Sequence, residues 1–299
     1  MNFSIIKRTA FSLIELSIVI LVIGIMIAGA FSANSMIKSF RLSAARSLTN
    51  SSPVFGVKDL TLWYETTLEK SINFDSSGNV TRWNDINYQS IEKIHAVPYT
   101  WLTAVAAFTK YNENSNIGLP SMYFDGVSNH GFNIPYIPVR GINHTIFLVE
   151  RHDDGALSGV HNGIVSQMSD AANFVIMYLN PGANSGANGI RYSPEPNKGY
   201  ATNIGLNMSN KTVIHCFVFT SSSVAGRVRY YLNGNSTSIS NNANNAVSGT
   251  NRHSDVRIGY KSRGQFKGDV FEFIVFSRGL KDEERKAVES YLKQKYYIK

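Results

Sequence analysis

Residues 11–30 constrain this chain more than any other stretch. They form an uninterrupted apolar run, FSLIELSIVILVIGIMIAGA, whose single charge is Glu15, behind a short head carrying Lys7 and Arg8. Roughly 22 residues at about 1.5 Å each match the hydrocarbon core of a bilayer, about 30 Å thick. The expectation is therefore a membrane-embedded helix over 11–33. A carboxylate in such a segment costs on the order of 2.5–3.5 kcal/mol, so a partner for Glu15 has to offset it. Residues 34–52 continue the helical pattern, with Ile37, Phe40, Ala44 and Leu48 on one face at spacings of three and four. Gly24 and Ala28 form a small-residue stripe that permits close helix packing. The rival is an ordinary secretory signal, with Ala28-Gly29-Ala30 as its cleavage site. Its apolar core would exceed the usual length of about 7–15 residues and would hold Glu15 near its start.

The heptapeptide Thr9-Ala10-Phe11-Ser12-Leu13-Ile14-Glu15 resembles the processing site of type IV prepilins and of the pseudopilins of type II secretion. The resemblance implies that a prepilin peptidase cuts between Ala10 and Phe11 and methylates the new amine. It also implies that Glu15 pairs with the Phe11 amine of a neighbouring pilin or pseudopilin subunit during assembly. Two departures are visible: Ala10 stands where the family usually has Gly, and no Pro precedes Pro53. The layout so implied is a leader over 1–10, a pilin-like helix over 11–52 and a separate domain over 54–299. Such a chain would be a single-pass protein of a bacterial inner membrane, its C-terminal domain periplasmic or extracellular.

From Pro53 the periodicity changes. Short apolar or alternating runs recur at 60–64, 80–83, 122–124, 144–150, 163–166, 174–179, 189–192, 212–220, 227–233, 256–260 and 269–276. Turn pairs such as Asn233-Gly234 separate them. Many short strands without intervening helices predict an antiparallel all-β jelly-roll sandwich. In 212–220, Val213, Phe217 and Phe219 point one way and Ile214, Cys216 and Val218 the other, as in a central strand buried on both faces. One helix is expected late, over 282–296, with Val288, Tyr291, Leu292 and Lys295 as its packing stripe and Asp282, Glu283 and Glu284 at its positive end. Residues 235–251, rich in Asn and Ser, read as a long mobile loop.

Met122-Tyr-Phe-Asp125-Gly126 with Phe132-Asn-Ile134 resembles bacterial laminin-G or concanavalin A-like domains. So do Leu62-Trp63, Val80-x-x-Trp83-Asn-Asp85 and the closing stretch from Arg257 to Glu284. One departure is Lys281, where the family often has a Ser or Thr helix cap. The fold hosts lectins and glycosidases alike, and function has to come from the site.

A retaining glycosidase needs two carboxylates about 5–5.5 Å apart. Asp269 and Glu272 are the only acids sharing one predicted core strand, and a spacing of three puts them on opposite faces of a regular strand. No catalytic residue is therefore assigned, and the protein is read as a non-enzyme. Loop oxygens at Asp125, Asn129, Asp153, Asp154 and Asp255 are of the type Ca²⁺ accepts, Asp125 and Asn129 above all, which makes Ca²⁺ the one cofactor to test. The seven histidines show no metal-ligand spacing. Trp63 and Trp83 could stack on sugars, as could Trp101, although large aromatics more often fill cores.

Arg227 and Arg229, with Tyr230, Tyr231, Arg252, Arg257, Lys261, Arg263 and Lys267, mix basic and aromatic side chains as a DNA-binding surface would. A solvated strand gives the same pattern. The formal charge of +8 suits an acidic polysaccharide, a phospholipid surface or DNA without choosing. With Cys216 alone, no internal disulfide exists. The reading is a minor pilin or pseudopilin displaying a lectin-like adhesion domain for a glycan or surface polymer. Its alternatives are a DNA-uptake pilin, a secretion pseudopilin without a ligand and a glycan-active enzyme.

Overall fold

The computed structural model describes residues 13–100, 110–126, 130–139, 142–153, 162–167, 174–179, 189–194, 200–203, 208, 210–220, 228–241, 253–259 and 266–299. Two compact units result, the first ending at Ser43 and the second being Ala44–Lys299. Helix α1 (Leu13–Asn50) supplies the described part of the first unit and opens the second.

Among the described residues no helix is long and apolar enough to cross a membrane. This corrects the expected membrane-embedded helix over 11–33, and with it the fold class built on that helix and the single-pass inner-membrane placement. Over the described side chains 13–27 the apolar stretch rises about 22 Å at 1.5 Å per residue, short of the roughly 30 Å core. From Ser35 onward charged and polar side chains, Lys38, Ser39 and Arg41, share the exposed surface with Met36, Ile37 and Phe40.

The second unit is built from strands. In chain order they are β1 (Leu60–Glu65), β2 (Ile72–Phe74), β3 (Val80–Trp83), β4 (Val97–Thr100), β5 (Lys110–Asn112), β6 (Ser121–Asp125), β7 (His130–Ile137), β8 (His144–His152) and β9 (Asn162–Gln167). They continue with β10 (Val175–Leu179), β11 (Gly189–Ser193), β12 (Tyr200–Asn203), β13 (Thr212–Phe219), β14 (Val228–Leu232), β15 (Asn235–Thr237), β16 (Ser240–Asn241), β17 (His253–Ile258) and β18 (Lys267–Phe276). Helix α2 (Asp282–Tyr296) follows. The first sheet runs β15-β14-β13-β8-β18-β6-β5, with β1 also on β18; the second runs β16-β12-β11-β10-β9-β17-β7-β4. Strands β15 and β16 fall where the sequence suggested only a mobile loop: Asn233 and Gly234 adopt φ of 49° and 78°, a tight turn that returns β15 onto β14, and β16 pairs with β12 in the second sheet.

Two cores flank the first sheet. Between the sheets pack Ile146, Leu148, Phe217, Phe219 and Phe273 from the first and Phe132, Ile134, Ile176, Ile190, Tyr192 and Val256 from the second. On the other face Phe147, Val149, Ile214, Cys216, Val218 and Ile274 meet Val288, Leu292 and Tyr296 of α2, with Ala45 from the end of α1. The alternation expected in 212–220 is the one observed, and β13 lies between β14 and β8 as a central strand.

Helix α2 begins where the Glu284 carboxylate accepts the Lys281 N–H at 3.0 Å, and Arg278 grips the same carboxylate at 2.7 and 2.6 Å. That grip, chiefly the hydrogen bonds from Arg278, pulls Glu284 down to about 2. The helix closes on Tyr297, held at φ 56° and ψ 34° with its N–H on the Lys293 carbonyl. A side chain in that left-handed geometry costs on the order of 1–2 kcal/mol, which is why Gly usually stands there.

Candidate functional site

The acids that could perform chemistry lie on the helix-facing side of the first sheet. Strand β18 bulges between Val270 and Glu272, so that Asp269 stands opposite Arg151 and Glu272 opposite Val149. Residues 149 and 151 share a face of β8, hence Asp269 and Glu272 share one too. This corrects the opposite-face expectation, which assumed a regular strand. A third acid joins them, since Glu65 of β1 pairs directly with Glu272.

None of the three is available to a substrate. The Lys295 ammonium lies 3.1 Å from Glu65 and 2.8 Å from Glu272, with all three side chains fully buried. Glu272 also accepts from Trp63 Nε1 at 2.7 Å, Tyr291 Oη at 2.9 Å and Tyr296 Oη at 2.7 Å. Glu65 accepts from the Thr67 N–H and hydroxyl at 2.7 and 2.6 Å, from the Leu68 N–H at 2.8 Å and from the Ser71 hydroxyl. Burial pushes the Glu65 carboxyl up, but Lys295 and these donors outweigh it and leave it below its ordinary value. Asp269 is bound by the Ser121 hydroxyl at 2.6 Å and by Arg151 at 3.3 Å; burial, the larger influence, raises its carboxyl.

Trp63 and Trp83, assigned to ligand stacking on sequence grounds, are both fully buried. Trp63 rests against Phe55 at 5.0 Å, and Trp83 donates to the Glu65 carbonyl at 2.8 Å while packing edge-on to Phe132. Arg229 is exposed and lies 3.3 Å from Asp282, whereas Arg257 sits on the other sheet, so the described basic residues do not form one stripe. Asp125 ends β6 opposite Lys267. Among the described residues no group of three or more His, Cys, Asp or Glu side chains could hold a metal ion. Glu15 lies in the first turn of α1. Ala10, Phe11, Trp101, Asn129, Asp154, Arg227, Arg252, Lys261 and Arg263 lie outside the described residues. Burial pushes the Cys216 thiol up, which makes it inert.

A different surface emerges on the second sheet, on the face turned away from the inter-sheet core. Register places Val97, Asn133, Arg257, Ser166, Val175 and Ser193 in one row across β4, β7, β17, β9, β10 and β11. Val97 is 42% exposed and Asn133 half-buried, while Arg257 is only 4% exposed. The Arg257 guanidinium lies 3.5 Å over the Tyr99 ring, a cation–π stack that fixes both side chains. Ser166, Val175 and Ser193 are buried like Arg257, so the accessible part of this face is Val97, Asn133 and the Tyr99 ring, which lies two residues along β4 from Val97. Sequence reasoning names no strand at 97–100 and does not single out Tyr99; β4 is an edge strand, where Pro98 is tolerated.

No protein-family model matches the sequence, and no curated protein matches it. Solved structures do. Domain 4 of AbnA, a GH43 extracellular arabinanase from Geobacillus stearothermophilus, solved in complex with arabinotriose, matches 78% of this chain and 98% of its own length, with a TM-score of 0.51 and 14% identity. The receptor binding domain of botulinum neurotoxin C/D mosaic serotype matches 78% of this chain with a TM-score of 0.52 and 9% identity. This chain spans about half (51%) of that neurotoxin domain's length. At these identities the likeness establishes a shared β-sandwich fold.

Proposed function

We propose that residues 44–299 form a non-catalytic glycan-recognition domain that binds along the outer face of the second sheet, with Tyr99 and Asn133 at the contact. The observation that carries this is the row of face-sharing side chains anchored by the Tyr99–Arg257 stack. Aromatic faces suit the C–H side of sugar rings, and an amide such as that of Asn133 suits their hydroxyl groups. The fold's likeness to a domain solved with arabinotriose supports a carbohydrate as the ligand class. Against catalysis stand the burial and pairing of Glu65, Asp269 and Glu272. Calorimetric titration of the full chain with arabinotriose and a panel of other oligosaccharides tests the reading. Tyr99→Ala should weaken a bound oligosaccharide by about tenfold, the effect of roughly 1.4 kcal/mol. Steady release of free sugar by the purified chain would sink the non-catalytic part.

The finer reading, a pilin-type subunit presenting this domain, rests on residues 9–15 alone. It requires processing between Ala10 and Phe11, and intact-mass measurement should then find a chain starting at Phe11 with one added methyl group. A chain starting at Phe31 would remove that reading and leave the glycan domain untouched.

A further inference from the structure

We propose a second carbohydrate site, specific for a sugar ring bearing a carboxylate, in the groove where α2 ends beside β13 and the β14–β15 turn. The proposal rests on the glycan-binding reading and assigns a substrate class to a place that reading does not use. The groove has a volume of about 370 Å³. Six of its lining residues matter: Tyr297, Asn116, Asn233, Thr212, Lys211 and Ile298.

Tyr297 is the first clue. It occupies a left-handed backbone position that glycine fills without strain, yet its side chain stays 52% exposed. A strained residue kept at a groove points to a use for its side chain, and an exposed phenol ring suits the C–H face of a sugar. Thr212 is the second clue, because its hydroxyl is buried and has no hydrogen-bond partner among the described residues. Rotation about one side-chain torsion lets such a hydroxyl satisfy a ligand that fills the groove.

The amides complete the polar set. The Asn233 side-chain oxygen accepts the Ile214 N–H at 2.8 Å, which leaves its N–H groups to donate. Asn116 is exposed. The charge comes from Lys211, an exposed residue with no ion pair among the described residues. Of the nearby acids, Glu289 is already held by Arg285 at 2.5 Å. One ring, two amides, a hydroxyl and an ammonium around an apolar wall at Ile298 describe recognition of an acidic sugar rather than a neutral one.

The test uses the full chain and two probes, trigalacturonic acid and arabinotriose, titrated calorimetrically at low and high salt. Trigalacturonic acid should bind, and added salt should weaken it. Tyr297→Gly and Lys211→Met should each lower its affinity by about tenfold or more while arabinotriose binding stays as it was. Tyr297→Gly relieves backbone strain, so its Tm should not fall, which separates lost contact from lost fold. Failure of the wild-type chain to bind trigalacturonic acid, or wild-type affinity retained in either variant, overturns the site. Loss of that binding in Tyr99→Ala but not in Tyr297→Gly overturns it too, by placing the acidic sugar on the outer sheet face. Sensitivity of trigalacturonic acid to both groove variants, with no binding of arabinotriose or of any other oligosaccharide in the panel, upholds this site and sinks the outer-face one.

Discussion

The two faces of the first sheet solve one problem, attaching a neighbour through a buried layer, in different ways. Toward the second sheet the layer is dominated by packed rings, such as Tyr192 stacked on Phe217 at 4.7 Å and Phe217 on Tyr230 at 4.9 Å. Among the described residues a few polar links cross between the sheets, Tyr178 with His215 at 3.3 Å and Asn162 with His152 at 3.4 Å among them. Tyr192 donates to His144, and Tyr178 donates to Glu150 at 2.5 Å. Toward α2 an ionic set is added to the apolar layer, with Lys295 between Glu65 and Glu272 and two tyrosines and a tryptophan on the Glu272 carboxylate. Rings grip by area and tolerate small shifts. A charge set with fixed partners tolerates one register, so α2 is positioned by chemistry and the second sheet by volume.

Lys295→Met should break that comparison most strongly. It leaves two buried carboxylates without their cation, and a loss of about 3–5 kcal/mol is expected in denaturant melts. Replacing all three members together, Glu65→Gln, Glu272→Gln and Lys295→Met, should recover much of it. A single-variant loss under about 1 kcal/mol would show that the lysine does not position α2.

Acid should separate the two faces by pH. The His144 Nδ1 donates to the Ile142 carbonyl at 2.8 Å, so Nε2 accepts the Tyr192 hydroxyl and the ring is neutral. Burial pushes its value down to about 4 from 6.5. The unfolded chain therefore takes up a proton as pH falls through 6.5 while the folded chain does not until about 4. Stability should drop over that window by about 3 kcal/mol from this residue. Glu65 has the opposite history, being lowered, so its contribution is present above its ordinary value of 4.5 and is lost only below it. Urea midpoints measured from pH 7 to pH 4 should show the first loss in the wild-type chain and a flatter profile in His144→Gln. Equal profiles would assign the loss elsewhere.

The smallest expected effect sharpens the helix side. Glu284→Gln should cost only about 0.5–1 kcal/mol, because its pair with Arg278 is partly exposed and screened. A thermal shift as large as that of Lys295→Met would mean that α2 is held at its start rather than at its last turns.

Where the sequence was legible, period decided it. The alternating run of β13 and the stripe Val288, Tyr291, Leu292 and Lys295 have one reading each, and all four stripe residues are buried. Strand β7 was harder, since Pro135 interrupts it; β4 pairs only with residues 130–133, so the missing N–H at 135 disrupts nothing there. The acids were misread for a related reason: a bulge adds a residue without leaving a mark in the sequence, and it moved Glu272 onto the face of Asp269. Trp63 and Trp83 could not be told from surface aromatics, because burial depends on strands more than a hundred positions away, as Trp63 and Glu272 show. The outer row of the second sheet needs the register of six strands before it exists at all.

The pairing of β1 with β18 also sets a timetable. Trp63 waits for a partner 209 positions later in the chain, and β1 has no other sheet neighbour among the described strands. At about 5–20 residues per second, ribosomal synthesis separates the two by roughly 10–40 s. Through that interval Leu62, Trp63 and Tyr64 have no sheet to join, so the nascent chain exposes an apolar strand that a chaperone must shield or a neighbouring chain will find. Slowing elongation between codons 65 and 272 should therefore increase aggregation during synthesis, while refolding of the finished chain from denaturant stays unaffected.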